Sequence, residues 1–188
     1  PDYANAAFRA AHHRVLCALA EHFGTDGFVT YVELGSLGHW GEWHIRSEDG
    51  LVPMPGEAVR DAYAADYEAA FPTAKLLMRR PFNFAARHGL GLYNDMTGEE
   101  ADTREWLGWI AGGGWYGSEP KALSAMPDFW QRAPVGGEFT SGRSMQDMLE
   151  KDLARTVQLV KDSHMSFIGP KTAQAEYTKG YNAVLREL

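Results

Sequence analysis

Apolar positions along the chain switch between two periods, and the switching lays out the fold. Residues 4–23 place Phe8, Val15, Leu16, Leu19 and Phe23 on one helical face, and Gly24 follows where a left-handed cap would sit. This predicts an amphipathic helix. From 28 to 34 the run Phe28-Val29-Thr30-Tyr31-Val32-Glu33-Leu34 is β-branched and aromatic and closes on Gly35-Ser36, the pattern of a buried strand with a carboxylate inside it. A loop over 35–56, rich in Gly, Trp, His and Pro, leads to a helix at 57–70 that Pro72 stops. Residues 75–80 read as a second strand ending at Pro81. The stretch 81–88 leaves room for only a short helical turn before a third strand, Gly89 to Asp95.

A helix around 101–111 carries Trp106, Trp109 and Ile110 at helical spacing, which predicts a packed core face. Residues 112–133, with three consecutive glycines at 112–114, show no period and read as a long excursion. A strand over 134–140 delivers Glu138, and a helix over 144–161 follows, capped by Ser144 and apolar at Met145, Leu149, Leu153, Val157 and Val160. A last short strand spans 166–170. Tyr177, Tyr181, Val184, Leu185 and Leu188 stripe a final helix. Strand–loop–helix recurring after an opening helix predicts a parallel sheet of βα units, with five strands in one domain over 1–188.

Composition narrows the chemistry. A net charge of −7 offers no electrostatic footprint for a nucleic-acid backbone or an anionic membrane, so neither is an expected partner. No run approaches the roughly 18 apolar residues that span a bilayer. Cys17 has no mate for a disulfide and reads as a small buried hydrophobe. His12 and His13 read as solvated helix residues. The glycines at 112–114 lack the strand-to-helix setting of a phosphate cradle, and the sequence calls for no cofactor.

In βα architectures polar chemistry collects at the C-terminal ends of strands. Those ends supply Glu33 with His39, Trp40, Glu42, Trp43 and His44 in its loop, then Arg79 and Arg80, Asn94 and Asp95, Glu138, and Lys171. Aromatic faces pack against sugar C–H surfaces, charged forks bind hydroxyls, and a carboxylate pair supplies general acid and nucleophile, so the rim suits a carbohydrate. Other roles compete: Glu33 could pair with an arginine of the next strand, Glu138 could be satisfied by local backbone N–H groups, and Asp95 could cap the following helix. His39, Glu42 and His44 also permit a metal-dependent hydrolase, although their spacing fits no strong ligand motif.

The blocks Tyr31-Val32-Glu33-Leu34-Gly35-Ser36-Leu37-Gly38-His39-Trp40-Gly41-Glu42-Trp43-His44, Leu76 to Phe82, Tyr93-Asn94-Asp95, Pro134 to Phe139 and Phe167 to Lys171 resemble an uncharacterised bacterial domain of putative glycosyl hydrolases. That family is similar to the (β/α)8 TIM-barrel glycosidases of clan A. The resemblance implies a partial barrel comprising strands 4 to 8, with the rest of the barrel supplied by an N-terminal part. It also implies a carbohydrate substrate and a secreted or cell-surface protein. At ~250 residues for a typical barrel, 188 is short by about two to three βα units. Carried onto this chain, Glu138 falls at the nucleophile position. The acid/base is Glu42 or Glu33: we favour Glu42, kept protonated by its tryptophans, with Glu33 ionised beside Arg79 or Arg80. Trp40, Trp43, His44, Arg79, Arg80, Asn94 and Asp95 are then the expected substrate contacts. A barrel that binds carbohydrate without hydrolysing it is the alternative.

Overall fold

A computed structural model describes residues 1–45, 52–169 and 178–188. Its centre is a parallel sheet of four strands, β1 (Tyr31–Glu33), β2 (Lys75–Met78), β3 (Gly91–Thr97) and β6 (Val135–Phe139), in the spatial order β1-β2-β3-β6. Register runs Glu33 beside Leu77, Leu77 beside Gly91, and Tyr93 beside Gly136. Beyond β6 the segment at 166–169 adds a fifth parallel position, where Gly169 pairs with Glu138 and Ser166 N–H donates to Val135 O at 2.8 Å. The five expected strand positions are thus neighbours in chain order.

Alternation along a strand sends successive side chains to opposite faces. Val32, Leu34, Leu76, Met78, Leu92, Val135 and Phe139 point one way and join the buried core beneath the helices. Tyr31, Glu33, Leu77, Gly91, Tyr93, Asp95, Gly136 and Glu138 alternate with them and point to the other face. The sheet curls around that second face: Tyr31 on the first strand stacks on Phe167 beyond the last, with ring centroids 4.8 Å apart. Gly136 makes room, since a Cβ there would stand 2.3 Å from the Phe167 ring. The result is a curled, parallel half-barrel flanked by helices.

Helices α1 (Ala6–Phe23), α2 (Glu57–Ala70), α3 (Asn83–His88), α4 (Glu100–Gly112), α5 (Leu153–Asp162) and α6 (Thr178–Leu185) complete the chain. Asn5 caps α1, accepting from the N–H groups of Ala7 and Phe8. The six-residue α3 is the short turn anticipated between β2 and β3, closed by Gly89 at φ 66°.

Three expectations need correction. The apolar stripe of α1 is not a core face: Leu16 is buried, but Phe8, Val15, Leu19 and Phe23 are exposed, as are Phe28 and Tyr31 near the open edge of β1. The excursion at 112–133 contains a hairpin, β4 (Gly114–Tyr116) with β5 (Glu119–Leu123), joined by Gly117-Ser118. Buried Arg60 of α2 grips it through Glu119, Nη1 to Oε2 at 2.6 Å and Nη2 to Oε1 at 3.1 Å. The helix over 144–161 is split: Ser144 Oγ does accept from Asp147 N–H at 3.1 Å, but a wider five-residue turn, Asp147–Lys151, precedes α5. Lys171 and Tyr177 lie outside the described residues. Among the described residues no helix is long and apolar enough to cross a membrane.

Candidate functional site

The inward face of the half-barrel opens at the C-terminal ends of its strands into a cavity of about 590 Å³. Strand exits deliver Glu138, Asp95 and Arg79; the loop after β1 delivers Trp40, Glu42 and His44; α4 closes one side with Asp102, Glu105, Trp106 and Trp109. Five lining carboxylates face two arginines, and both arginines are committed. Arg79 Nη2 donates to Asp95 in a buried ion pair, while its Nη1 stands 2.7 Å from His44 Nδ1. A guanidinium only donates, so His44 Nδ1 accepts and the ring proton sits on Nε2. Arg80 donates to Trp43 O at 3.2 Å and lies over the rings of Trp109 and Tyr116, at 5.1 and 5.2 Å. Burial, followed by the charge of Arg79, lowers the Arg80 guanidinium to about 10.

Crowding of carboxyl groups sets the electrostatics. Glu33 can be reached by water, yet the curled sheet surrounds much of it. Desolvation, with the charges of Glu138 and Asp95, pushes it up to about 7. Glu42 is raised by desolvation and then by Asp95, against which Arg79 pulls the other way. Both acids are therefore held above the ordinary carboxylate range while facing Glu138. Tyr93, buried between the strands, donates to Leu34 O at 3.3 Å, and desolvation raises its phenol well above the usual value.

The loop at 35–44 is held in a tight path. Gly38 sits at φ 82°, where a Cβ would stand 2.3 Å from His44 O, and His39 N–H donates to that same oxygen at 2.8 Å. Only glycine fits there. Trp43 is fully buried, donating Nε1–H to Gly35 O at 2.8 Å, so it anchors the loop and does not reach a substrate. Trp40, 80% exposed, is the aromatic that overhangs the cavity mouth.

Most predicted rim residues meet at this cavity: Glu42, Glu138, Trp40, His44, Arg79, Arg80 and Asp95 line it together, and Glu33 lies beside Glu138 and Asp95 on the inward face. Several roles change. Glu33 is not held ionised by an arginine, because Arg79 is drawn to Asp95 and Arg80 to Trp43. Asp95 does not cap a helix; β3 runs on to Thr97. Asn94 also lines the cavity, but its side chain is held toward α4, donating from Nδ2 to Thr103 Oγ1 at 3.1 Å and accepting from Met96 N–H. Trp106 and Trp109 reach the cavity as well as the core, with Trp106 Nε1–H donating to Arg79 O at 2.8 Å. Asp102 and Glu105 were not anticipated, and their i, i+3 spacing on one face of α4 was the available signal.

His39, Glu42 and His44 do not gather as ligands: His44 Nδ1 faces Arg79, and among the described residues no three of His, Cys, Asp and Glu are placed to hold a metal ion. Nor is His12 solvated, as it bridges Asp66 and Ser36. Cys17 is half-buried, its Sγ 3.5 Å from His13 Nε2. No protein-family model matches the chain, and no curated protein matches it.

Proposed function

We propose that this half-barrel carries the active site of a glycoside hydrolase, with Glu138 as nucleophile and Glu42 as general acid/base. The observation that carries the reading is a carboxyl group held toward its protonated form, Glu42, sharing a tryptophan-lined cavity with Glu138 at the strand exits. Hydrolysis of a glycosidic bond needs that asymmetry: one carboxylic acid to protonate the leaving oxygen and one carboxylate to attack or stabilise the anomeric carbon. Glu33, raised by desolvation and by the nearby charges of Glu138 and Asp95, is the alternative acid. Trp40 and Trp109 offer flat faces for sugar rings, and Arg79 holds the His44 ring so that its Nε2–H can donate to hydroxyls. The open edge of β1 and the exposed apolar side of α1 receive further strand–helix units, which complete the barrel and the far wall of the cavity.

The test is hydrolysis of a polysaccharide panel by the full-length polypeptide and its Glu138→Gln variant. Loss of about 10⁴-fold in kcat with binding retained is expected. Equal activity of the two would remove Glu138 from the chemistry. Binding by both with hydrolysis by neither would point to the non-catalytic carbohydrate-binding alternative.

A further inference from the structure

On the outer flank of β1, away from the carboxylate cavity, three side chains from three elements form one hydrogen-bonded line. Asp66 of α2 stands 3.3 Å from His12 Nδ1, and His12 Nε2 of α1 stands 2.8 Å from Ser36 Oγ at the exit of β1. The direction of the line follows from donor inventory. A carboxylate only accepts, so His12 Nδ1–H donates to Asp66 and Nε2 is left to accept the Ser36 hydroxyl proton. Tyr67 fits the same polarity: its hydroxyl accepts Gly35 N–H at 3.2 Å and lies 2.9 Å from Ser36 Oγ, to which it donates.

Two further features match an activated nucleophile. Ser36 holds φ 89°, a left-handed conformation that a serine rarely adopts, and it does so where a strand turns out of a parallel sheet. Its side chain is partly exposed, whereas His12 and Asp66 behind it are mostly covered. Arg9 at 3.7 Å and His13 at 3.2 Å also face Asp66, and the Tyr63 ring packs 4.5 Å from the His12 ring. Burial lowers the pKa of His12, which keeps the imidazole neutral and able to take a proton.

We propose that Ser36 is a second nucleophile, activated by His12 and oriented through Asp66, that accepts acyl groups from compact carboxylic esters. Ser36 Oγ attacks the ester carbonyl carbon as its proton passes to His12 Nε2. The carbon–oxygen bond of the ester breaks, and the alcohol leaves with that proton. Water then attacks the acyl-serine with His12 again as base, releasing the acid and restoring Ser36. Tyr67 O–H, donated to Ser36 Oγ in the resting line, is freed as that oxygen bonds to carbon and can turn to the carbonyl oxygen where negative charge develops.

The experiment treats the intact protein with diisopropyl fluorophosphate and, separately, p-nitrophenyl acetate, and maps adducts by peptide mass. One adduct on Ser36 is expected, absent in Ser36→Ala and slowed at least about 100-fold in His12→Gln. Ser118→Ala, in the exposed hairpin turn, should react like wild type. Absence of an adduct on Ser36 in the folded wild-type protein would overturn the proposal without recourse to any variant. So would an unchanged rate in His12→Gln at an unchanged melting temperature, since the line would then only fasten α1 and α2 to the loop. Neither result touches the cavity on the inward face, whose test is hydrolysis of sugars.

Discussion

The two faces of the curled sheet are built from the same strands and obey opposite rules. Outward positions are almost all apolar and fully covered, and each inward step toward the C-terminal rim exchanges packing for charge. At the lower end of the inward face Tyr31 stacks on Phe167 over Gly136, and only contact shape matters there. One or two residues further along the strands stand Glu33, Asp95, Glu138 and Arg79, where desolvation and then neighbouring like charges raise Glu33, and Glu42 in the loop beyond, from the ordinary carboxylate range. Bringing carboxylates together in a partly desolvated site is unfavourable unless they are paired or protonated, and Asp95 has Arg79 as its partner. The rim is therefore a place where the fold gives up stability, which is the behaviour expected of a site for chemistry.

The contrast can be broken most severely at the rim. Glu138→Gln should remove activity as described, leaving the melting temperature within a few degrees. Arg79→Met leaves Asp95 buried without its partner and frees His44, and should destabilise by about 3–5 kcal/mol in chemical denaturation. At the packed end, Gly136→Ala drives a methyl into the Phe167 ring and should lower stability by about 1–3 kcal/mol with no change in its pH dependence. If Gly136→Ala proved neutral, the Tyr31–Phe167 layer would not be what closes the curl.

Glu33 sharpens the comparison through pH. Its folded value is about 7 against 4.5 for an unperturbed carboxyl, so the folded protein holds the proton more tightly. The corresponding stability is fully present below about 4.5, is lost as pH rises through 7, and does not return above it. Glu33→Gln should therefore stabilise by about 1–2 kcal/mol at pH 8, after discount for its access to water, and by nearly nothing at pH 4. Equal effects at both values would show that neither burial nor the charges of Glu138 and Asp95 raise it. The smallest change belongs to the exposed apolar side: Val15→Ser in α1 should shift stability by less than about 0.5 kcal/mol, because Val15 is 58% exposed.

How far the fold was legible depended on what each segment packs against. Strands buried on one side by helices wrote their period plainly, and the five strand positions follow one another in space as the βα pattern required. The hairpin at 114–123 was missed because Trp115, Pro120 and Lys121 obscure its alternation, although Gly117-Ser118 between two short runs was a hairpin signal. The α1 stripe misled for the opposite reason. Its period is genuine, but the described part of the molecule sets nothing against Phe8, Val15, Leu19 and Phe23.

By itself the sequence determined which residues could stand at the rim, since strand period and chain order fix which end of a parallel sheet each polar residue reaches. Tertiary structure alone decided the partners. Arg79 chose Asp95 and His44 over Glu33, Trp43 turned inward to hold its loop while Trp40 stayed out, and His12 met Ser36 and Asp66 across segments 24 and 54 residues away. Those choices rest on distance and desolvation between groups far apart in the chain, quantities that periodicity does not encode.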